Sequence, residues 1–284
     1  MAPRVAFLGP AGTHTDEAMR ASATEPFEPD PRTTVHDAIM AVQQREADRA
    51  VVPIENSLEG GVAATLDALA GEAADVRIVR EVVHPIQHDL IAGRRLGLGE
   101  IERVLSHPQA VGQCAGFLRD RLPHVEVAAA SSTADAVRTV AETDQPWAAL
   151  GSKLAADLYR GTVLAEHAED RDDNETRFVW IAHADDAPGT VDGPAKTSIV
   201  FWGFNDESPG SLVAVLRELS DRDINLTKIE SRPRRVSLGH YMFFADLEAH
   251  VEEADVKDAL TALDGLVETL RVLGSYPAAA STTR

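Results

Sequence analysis

Lysine is almost missing from this chain. Lys153, Lys196, Lys228 and Lys257 are the only four among 27 lysines and arginines, set against 46 carboxylates for a net charge of −19. That balance excludes a basic face for nucleic acid or an anionic membrane. Few lysines under many carboxylates is the surface of proteins that work in molar salt; a GC-rich genome favours arginine and alanine as well, and composition leaves both open. Cysteine is limited to Cys114, which excludes an internal disulfide framework and fits a reducing cytoplasm. No apolar run approaches the roughly 20 residues that span a bilayer. Nothing after Met1 has the pattern of a signal peptide. With 44% hydrophobic and 26% charged residues, a soluble, cytoplasmic globular protein is expected, and 284 residues exceed what one core usually serves.

Short apolar runs alternate with helical spacings in the first part. Residues 5–9, 50–54, 76–83, 90–92, 101–105, 125–129 and 147–150 read as strands. Residues 35–46, 62–69, 110–122, 134–142 and 154–159 read as helices. The alternation predicts an α/β architecture with mostly parallel sheets. A polar Gly/Pro-bearing linker follows at 185–194. Beyond it the spacing predicts a strand at 197–204 and a helix capped by Ser208, with Pro209 at its first position, running to about 222. Strands at 224–231 and 241–247, a helix at 253–263 and a strand at 267–273 complete βαββαβ, the ferredoxin-like α+β arrangement. Domains are therefore expected at 1–184 and 195–275, with a disordered tail at 276–284.

Four small polar turns follow strands and precede helices: Gly9-Pro10-Ala11-Gly12-Thr13, residues 56–61, residues 106–109 and residues 131–133. In open α/β sheets ligands bind beyond the carboxyl ends of strands, and each helix start offers free N–H groups and a partial positive charge. Ordinary capping explains any one of these turns; four together suit a ligand with two carboxylates. A further segment, Asn174-Glu175-Thr176-Arg177-Phe178, sets a neutral hydroxyl between a carboxylate and a guanidinium, where the acidic loop 166–175 gives way to the apolar strand 178–182. A hydroxyl held there can donate a hydrogen bond to a leaving group. Equally, Thr176 is a β-branched residue opening a strand.

These segments, with Pro53-Ile54-Glu55-Asn56-Ser57-Leu58-Glu59-Gly60-Gly61 and Ser106-His107-Pro108-Gln109-Ala110-Val111-Gly112-Gln113-Cys114, closely resemble the motif set of prephenate dehydratases, in order through nearly the whole chain. The C-terminal part resembles an ACT-type regulatory domain. The resemblance implies a cofactor-free conversion of prephenate to phenylpyruvate, carbon dioxide and water on the route to phenylalanine. It implies a catalytic domain built like type II periplasmic binding proteins, lobe one about 1–80 and 160–182, lobe two about 81–159, with lobe closure excluding water. Carried onto this chain, Thr176 is catalytic and donates a hydrogen bond to the departing oxygen, a role typically worth about 10² to 10³ in rate. Thr13, Asn56, Ser57, Ser106, Gln113, Ser132, Thr133 and Phe178 fall at substrate-binding positions. Arg177 either grips a substrate carboxylate or pairs structurally with Glu175 or Glu55, the structural role being favoured. Glu55 and Glu59 suit a dianion poorly unless protonated or turned away.

In the second domain the resemblance assigns phenylalanine binding to Pro209, Gly210, Ser211 and Leu212 together with Asn225, Leu226, Glu230, Ser231, Arg232 and Pro233, between two copies in a homodimer or homotetramer. Glu230 and Arg232 paired on a β surface is the alternative. The chain departs from the usual motif at His14-Thr15, where Phe-Ser is common, and at Ser211, where Ala is common. No chorismate mutase helix precedes Val5, so a monofunctional enzyme is expected. His84 and His88 are four apart, but Pro85 argues against a metal-binding helix, so both are expected at the surface. His107 reads as capping or packing, Cys114 as a small buried residue, and residues 9–13 lack the ending of a phosphate loop. The acidic cluster at 170–173 reads as a solvated hinge loop. No metal or cofactor is expected. Arogenate dehydratase, whose substrate differs only at the keto or amino group, and a non-catalytic amino-acid sensor remain as rival readings.

Overall fold

The computed structural model describes residues 2–187, 193–204 and 209–279. These described residues group into two compact units, one within residues 1–38, 51–60 and 83–178 and the other within residues 39–50, 61–82 and 179–284. The first stretch of chain runs β1 (Arg4–Leu8), α1 (His14–Ser22), β2 (Glu28–Arg32), α2 (Val35–Gln43), β3 (Arg49–Asn56), β4 (Gly60–Gly61), α3 (Ala63–Ala70) and β5 (Val76–Pro85). The next runs β6 (Asp89–Ala92), β7 (Arg103–Ser106), α4 (Pro108–Gln113), α5 (Ala115–Arg121), β8 (Glu126–Ala129), α6 (Thr133–Ala141), β9 (Trp147–Gly151), α7 (Lys153–Tyr159), β10 (Thr162–Ala165) and β11 (Glu175–His183). The last comprises β12 (Ala195–Trp202), α8 (Ser211–Ser220), β13 (Leu226–Pro233), β14 (Tyr241–Leu247), α9 (Ala254–Asp264) and β15 (Thr269–Pro277). Among the described residues no helix is long and apolar enough to cross a membrane.

One sheet has the order β2-β1-β3-β11-β5, with β4 pairing β3, and a second has the order β10-β6-β9-β7-β8. The chain leaves the first sheet after β5 and returns at β11, the double crossing that a two-lobed α/β domain requires. Strand membership places β5 in the first sheet as far as Pro85 and β10 in the second. The lobe limits at 80 and 160 therefore shift by about one short element each. In the second sheet β7 pairs in parallel with β8 and β9, but β6 runs antiparallel to both β9 and β10. The expectation of mostly parallel pairing fails there.

The second sheet is covered on both faces, and its central strands β6 and β9 accordingly read as unbroken apolar runs, with successive side chains turned to opposite sides. Leu90, Val104, Ala148 and Leu150 pack with Cys114, Leu118 and Leu122 on one side. Ile91 and Ala149 pack with Ala134, Val137, Val140 and Ala155 on the other. The helix expected over 110–122 is broken at Cys114, whose backbone (φ −113°, ψ 17°) caps α4 and starts α5. The Cys114 side chain at the break is fully buried in the core. β2 escapes the strand pattern of the sequence because Pro29 and Pro31 interrupt it. Both lie on the edge of the sheet, two residues apart, so the missing N–H groups fall on the side away from β1.

The C-terminal sheet is antiparallel in the order β13-β14-β12-β15, the ferredoxin-like sequence of strands, with α8 and α9 on one face. Its α8 begins at Ser211, behind Gly210 at φ +90°, rather than at Pro209. That left-handed backbone suits glycine and ends the incoming turn. Ser208, residues 188–192 of the expected linker and residues 280–284 of the expected tail lie outside the described residues. The tail boundary moves, since β15 continues to Pro277 and Tyr276 is fully buried with its hydroxyl 2.6 Å from Ser198 Oγ.

Candidate active site

β3 ends in Asn56, and its amide organises the turn beyond the strand. Asn56 Oδ1 accepts from the Leu58 and Glu59 N–H groups at 2.9 and 3.0 Å, an Asx-type turn that folds the loop back. Its Nδ2 donates to Thr176 Oγ1 at 2.9 Å, Asn174 Oδ1 at 2.8 Å and the Glu175 carbonyl at 3.2 Å. Ser57 completes the join: its N–H donates to the Glu175 carbonyl at 2.9 Å, while Ser57 Oγ accepts from the Glu175 N–H at 3.0 Å and donates to the Asp173 carbonyl at 3.3 Å. One turn and the mouth of β11 are thereby a single hydrogen-bonded body.

Thr176 is buried, 7% exposed, and it uses its oxygen as acceptor toward Asn56. The hydroxyl proton is left for donation, and accepting one hydrogen bond strengthens the next one donated. Asn174 is 2% exposed, and its Nδ2 has no hydrogen-bond partner among the described residues. A buried donor of that kind is costly unless a ligand supplies the acceptor. Asn174 is a candidate site residue that the sequence motifs do not single out, although it lies in the segment carrying Thr176. Its signal is only a polar residue two positions before the threonine.

The remaining residues fall into separate environments. Arg177 Nε lies 3.3 Å from Glu55 Oε2. Phe178 is buried, with the His84 ring edge-on at 6.4 Å. Thr13 caps α1, accepting from the Asp16 N–H at 3.4 Å and donating to the Leu8 carbonyl at 2.9 Å. Ser106 is fully buried and donates to the Leu150 carbonyl at 2.8 Å. Ser132 caps α6, accepting from the Asp135 N–H at 3.0 Å, with Thr133 as the first helical residue. The turn at 56–61 does not enter a helix directly: β4 intervenes and Val62 occupies the cap position of α3. Ser152, outside every motif of the sequence, caps α7 and donates to the Gly12 carbonyl at 2.7 Å.

His88 corrects a sequence expectation. It is not at the surface but 2% exposed, with Nε2 2.9 Å from Gln113 Oε1. The amide oxygen can only accept, so Nε2 carries the proton and Gln113 is held with its amino group facing elsewhere. Burial, then the neighbouring His14, pushes the His88 pKa down to about 4, so the ring is neutral at neutral pH. His14 packs edge-on against it, with centroids 5.1 Å apart, and its Nδ1 is 2.9 Å from Glu17 Oε2. His84 Nε2 reaches the same oxygen at 3.5 Å. Burial opposes ionisation of Glu17, but the hydrogen bonds of His14 and His84 outweigh it and hold the carboxyl at about 2. These side chains connect α1, β5 and the Gln113 turn, which sequence spacing could not reveal.

The effector-motif residues are divided as well. Pro209 and Gly210 are exposed ahead of α8, and Ser211 and Leu212 open it, Leu212 packing on the core of this domain. Asn225 and Leu226 line a cavity of about 440 Å³ with Leu216, Leu219, Ser220, Asp223 and Ile224, and Asn225 Nδ2 donates to Glu248 Oε2 at 2.5 Å. Ser231 and Pro233 lie on the exposed side of β13. The alternative of a Glu230–Arg232 pair is not what the described residues show. Glu230 lies against Gly61 and 3.2 Å from Lys228 Nζ. Arg232 grips Asp67 of α3 with two bonds of 2.7 and 3.0 Å, and Arg235 adds a third at 2.6 Å.

Two α/β sheets with neutral hydrogen-bonding turns at their strand ends, followed by a ferredoxin-like module, define a small-molecule enzyme carrying a regulatory domain. The prephenate dehydratase family profile matches residues 5–186, and the ACT domain profile matches residues 198–265. The prephenate dehydratase of Amycolatopsis methanolica is 39% identical over 274 residues, covering 96% of this chain and 88% of its own length. Among solved structures, the Arthrobacter aurescens prephenate dehydratase in complex with L-Phe is 37% identical with a TM-score of 0.86, over 97% of this chain and 90% of that one. GqqA, described as a novel type of quorum quenching acylase, is 30% identical with a TM-score of 0.84, over 97% of this chain and 98% of its own. The chain belongs to the prephenate dehydratase family and carries an ACT domain.

Proposed function

We infer that this chain converts prephenate to phenylpyruvate, carbon dioxide and water, with Thr176 as the catalytic residue. The observation that carries the assignment to Thr176 is its buried hydroxyl, fixed through oxygen by Asn56 with its proton left to donate. Aromatisation drives the reaction, and the ring hydroxyl and a carboxylate leave together. A threonine is too weak an acid to protonate the leaving oxygen outright. As an aligned donor it stabilises the charge that develops there. Asn174 Nδ2, beside it, supplies a second donor to the same substrate region.

Gln113, oriented by His88, offers its amino group to a substrate oxygen, and Ser132 and Thr133 offer the start of α6 to a carboxylate. Thr13, Ser57 and Ser106 spend their hydroxyl protons on backbone carbonyls. In this reading they shape the binding turns and present backbone N–H groups. Phe178 contributes an apolar wall, and Arg177 serves structurally through Glu55. Purified chain incubated with prephenate gives phenylpyruvate, read by absorbance in base; absence of turnover overturns the reading. Arogenate in a parallel incubation decides between the two substrates through their specificity constants.

Phenylalanine acts as feedback effector through the ACT domain, with Pro209, Gly210, Ser211, Leu212, Asn225, Leu226, Glu230, Ser231, Arg232 and Pro233 as its binding segment. A second copy completes that site in a dimer or tetramer. Val213, Ile229, Val236, Leu238 and Tyr241, all large and exposed, supply an apolar surface for that association. The enzyme is cytoplasmic on this reading. GqqA supports a second activity to be assayed beside the first, that of a quorum quenching acylase.

A further inference from the structure

The first helix carries a ligand set that the dehydration chemistry does not use. His14 and Glu17 stand three apart on α1, the spacing that brings two side chains onto one helical face. The third member, His84, comes from β5. The His14 Nδ1, Glu17 Oε2 and His84 Nε2 donor atoms lie within 4.8 Å of one another, at 2.9 Å for the first pair and 3.5 Å for the last. Ligands held tetrahedrally at about 2.0–2.1 Å from a zinc ion stand roughly 3.4 Å apart. Only a small closure is therefore needed.

The surroundings are those of a cation site. Glu17 Oε1 is occupied by the Leu154 N–H at 3.1 Å, which fixes the carboxylate and leaves Oε2 to coordinate. Two buried imidazole nitrogens, His14 Nε2 and His88 Nδ1, have no hydrogen-bond partner among the described residues, on rings 5.1 Å apart. These two nitrogens border the three donor atoms but are not among them.

We propose that His14, Glu17 and His84 bind one divalent transition cation of the zinc class, with a fourth position open to water. Two imidazoles and one carboxylate are a set that zinc accepts, and calcium or magnesium, which prefer oxygen ligands, do not. The cation would tie α1 to β5 and displace the proton shared by His14 and Glu17. This runs against the sequence expectation of no metal, which rests on spacing along the chain and is blind to His84 arriving from another element.

The test uses the full-length chain, stripped with chelator and dialysed into molar potassium chloride to screen surface carboxylates. Zinc is titrated against a chromophoric chelator, and cobalt(II) is added separately for its visible absorption. One zinc per chain and tetrahedral-type cobalt bands are expected. His84→Ala and His14→Phe, the latter restoring the residue common in this motif, should each weaken zinc by more than about 100-fold, beyond the usual loss from removing a ligand's supporting partner. His124→Ala, at an exposed position, should leave binding unchanged. Absence of zinc binding by the parent chain overturns the proposal. So does unchanged stoichiometry in both folded histidine variants, which would assign the metal to surface carboxylates.

Discussion

At the scale of single residues, the proposed chemistry rests on Thr176 and its amide partners. Thr176→Ala should lower kcat/KM by about 10² to 10³, while Thr176→Ser keeps a substantial share because it preserves the donor. Steady-state kinetics on prephenate measure both, and an alanine variant as active as the parent would remove Thr176 from the chemistry. His88 makes a separate prediction about acid stability. Its pKa is about 4 when folded, because of burial and then His14, against 6.5 ordinarily. The unfolded chain therefore takes up the proton first as pH falls. Stability should be intact above about 6.5 and decline between there and 4, by on the order of 3 kcal/mol from this group. Glu17, held at about 2, adds a second loss that begins only as pH falls through the ordinary carboxylate value of 4.5. Urea midpoints at constant salt should decline less across pH 6.5 to 4 in a His88→Gln variant than in the parent.

At the scale of elements, Asp67 is where β13 meets α3. Arg232 and Arg235 both close on this one carboxylate, and Glu230 lies against Gly61, a few residues along the chain from Asn56. Asp67→Asn should shift the phenylalanine concentration for half-inhibition by at least about threefold, the scale of a 0.6 kcal/mol coupling change, and change uninhibited turnover much less. Inhibition curves for the two proteins check this; superimposable curves would disconnect the contact from regulation. A second element contact tests packing. A side chain at Gly274 of β15 would run into the backbone of Ile78 in β5, so Gly274→Ala should cost about 1–3 kcal/mol in denaturant unfolding.

Elements with strong periodicity are legible in the sequence, as in β12, β14, α6 and α9. β2 is hidden there because its two prolines mask an edge strand. The break between α4 and α5 is hidden because a buried cysteine reads like any apolar residue on a helical face. In the site, Asn56 and Thr176 stand out through their motifs. Asn174 and His88 do not, since what distinguishes them is burial with unmet or shared hydrogen bonds, a three-dimensional property.

At the scale of the whole molecule, charge dominates. Of the four lysines, Lys196 pairs with Glu81 at 2.7 Å, Lys228 with Glu230 at 3.2 Å and Lys257 with Glu252 at 2.6 Å. The remaining carboxylates still leave a net −19. At about 1 M salt the screening length falls to roughly 3 Å, and self-repulsion is largely removed. The melting temperature should therefore rise from dilute buffer to molar potassium chloride, and an unchanged value would exclude a salt requirement for folding. Cys114 supplies a gauge for the same question. It is the only sulfhydryl and is fully enclosed at the junction of α4 and α5, where burial holds the thiol above its ordinary pKa. A thiol-specific dye should thus count zero on a closed molecule and one on an opened molecule, so labelling speed at each ionic strength becomes a direct clock for how often the second sheet's interior comes apart.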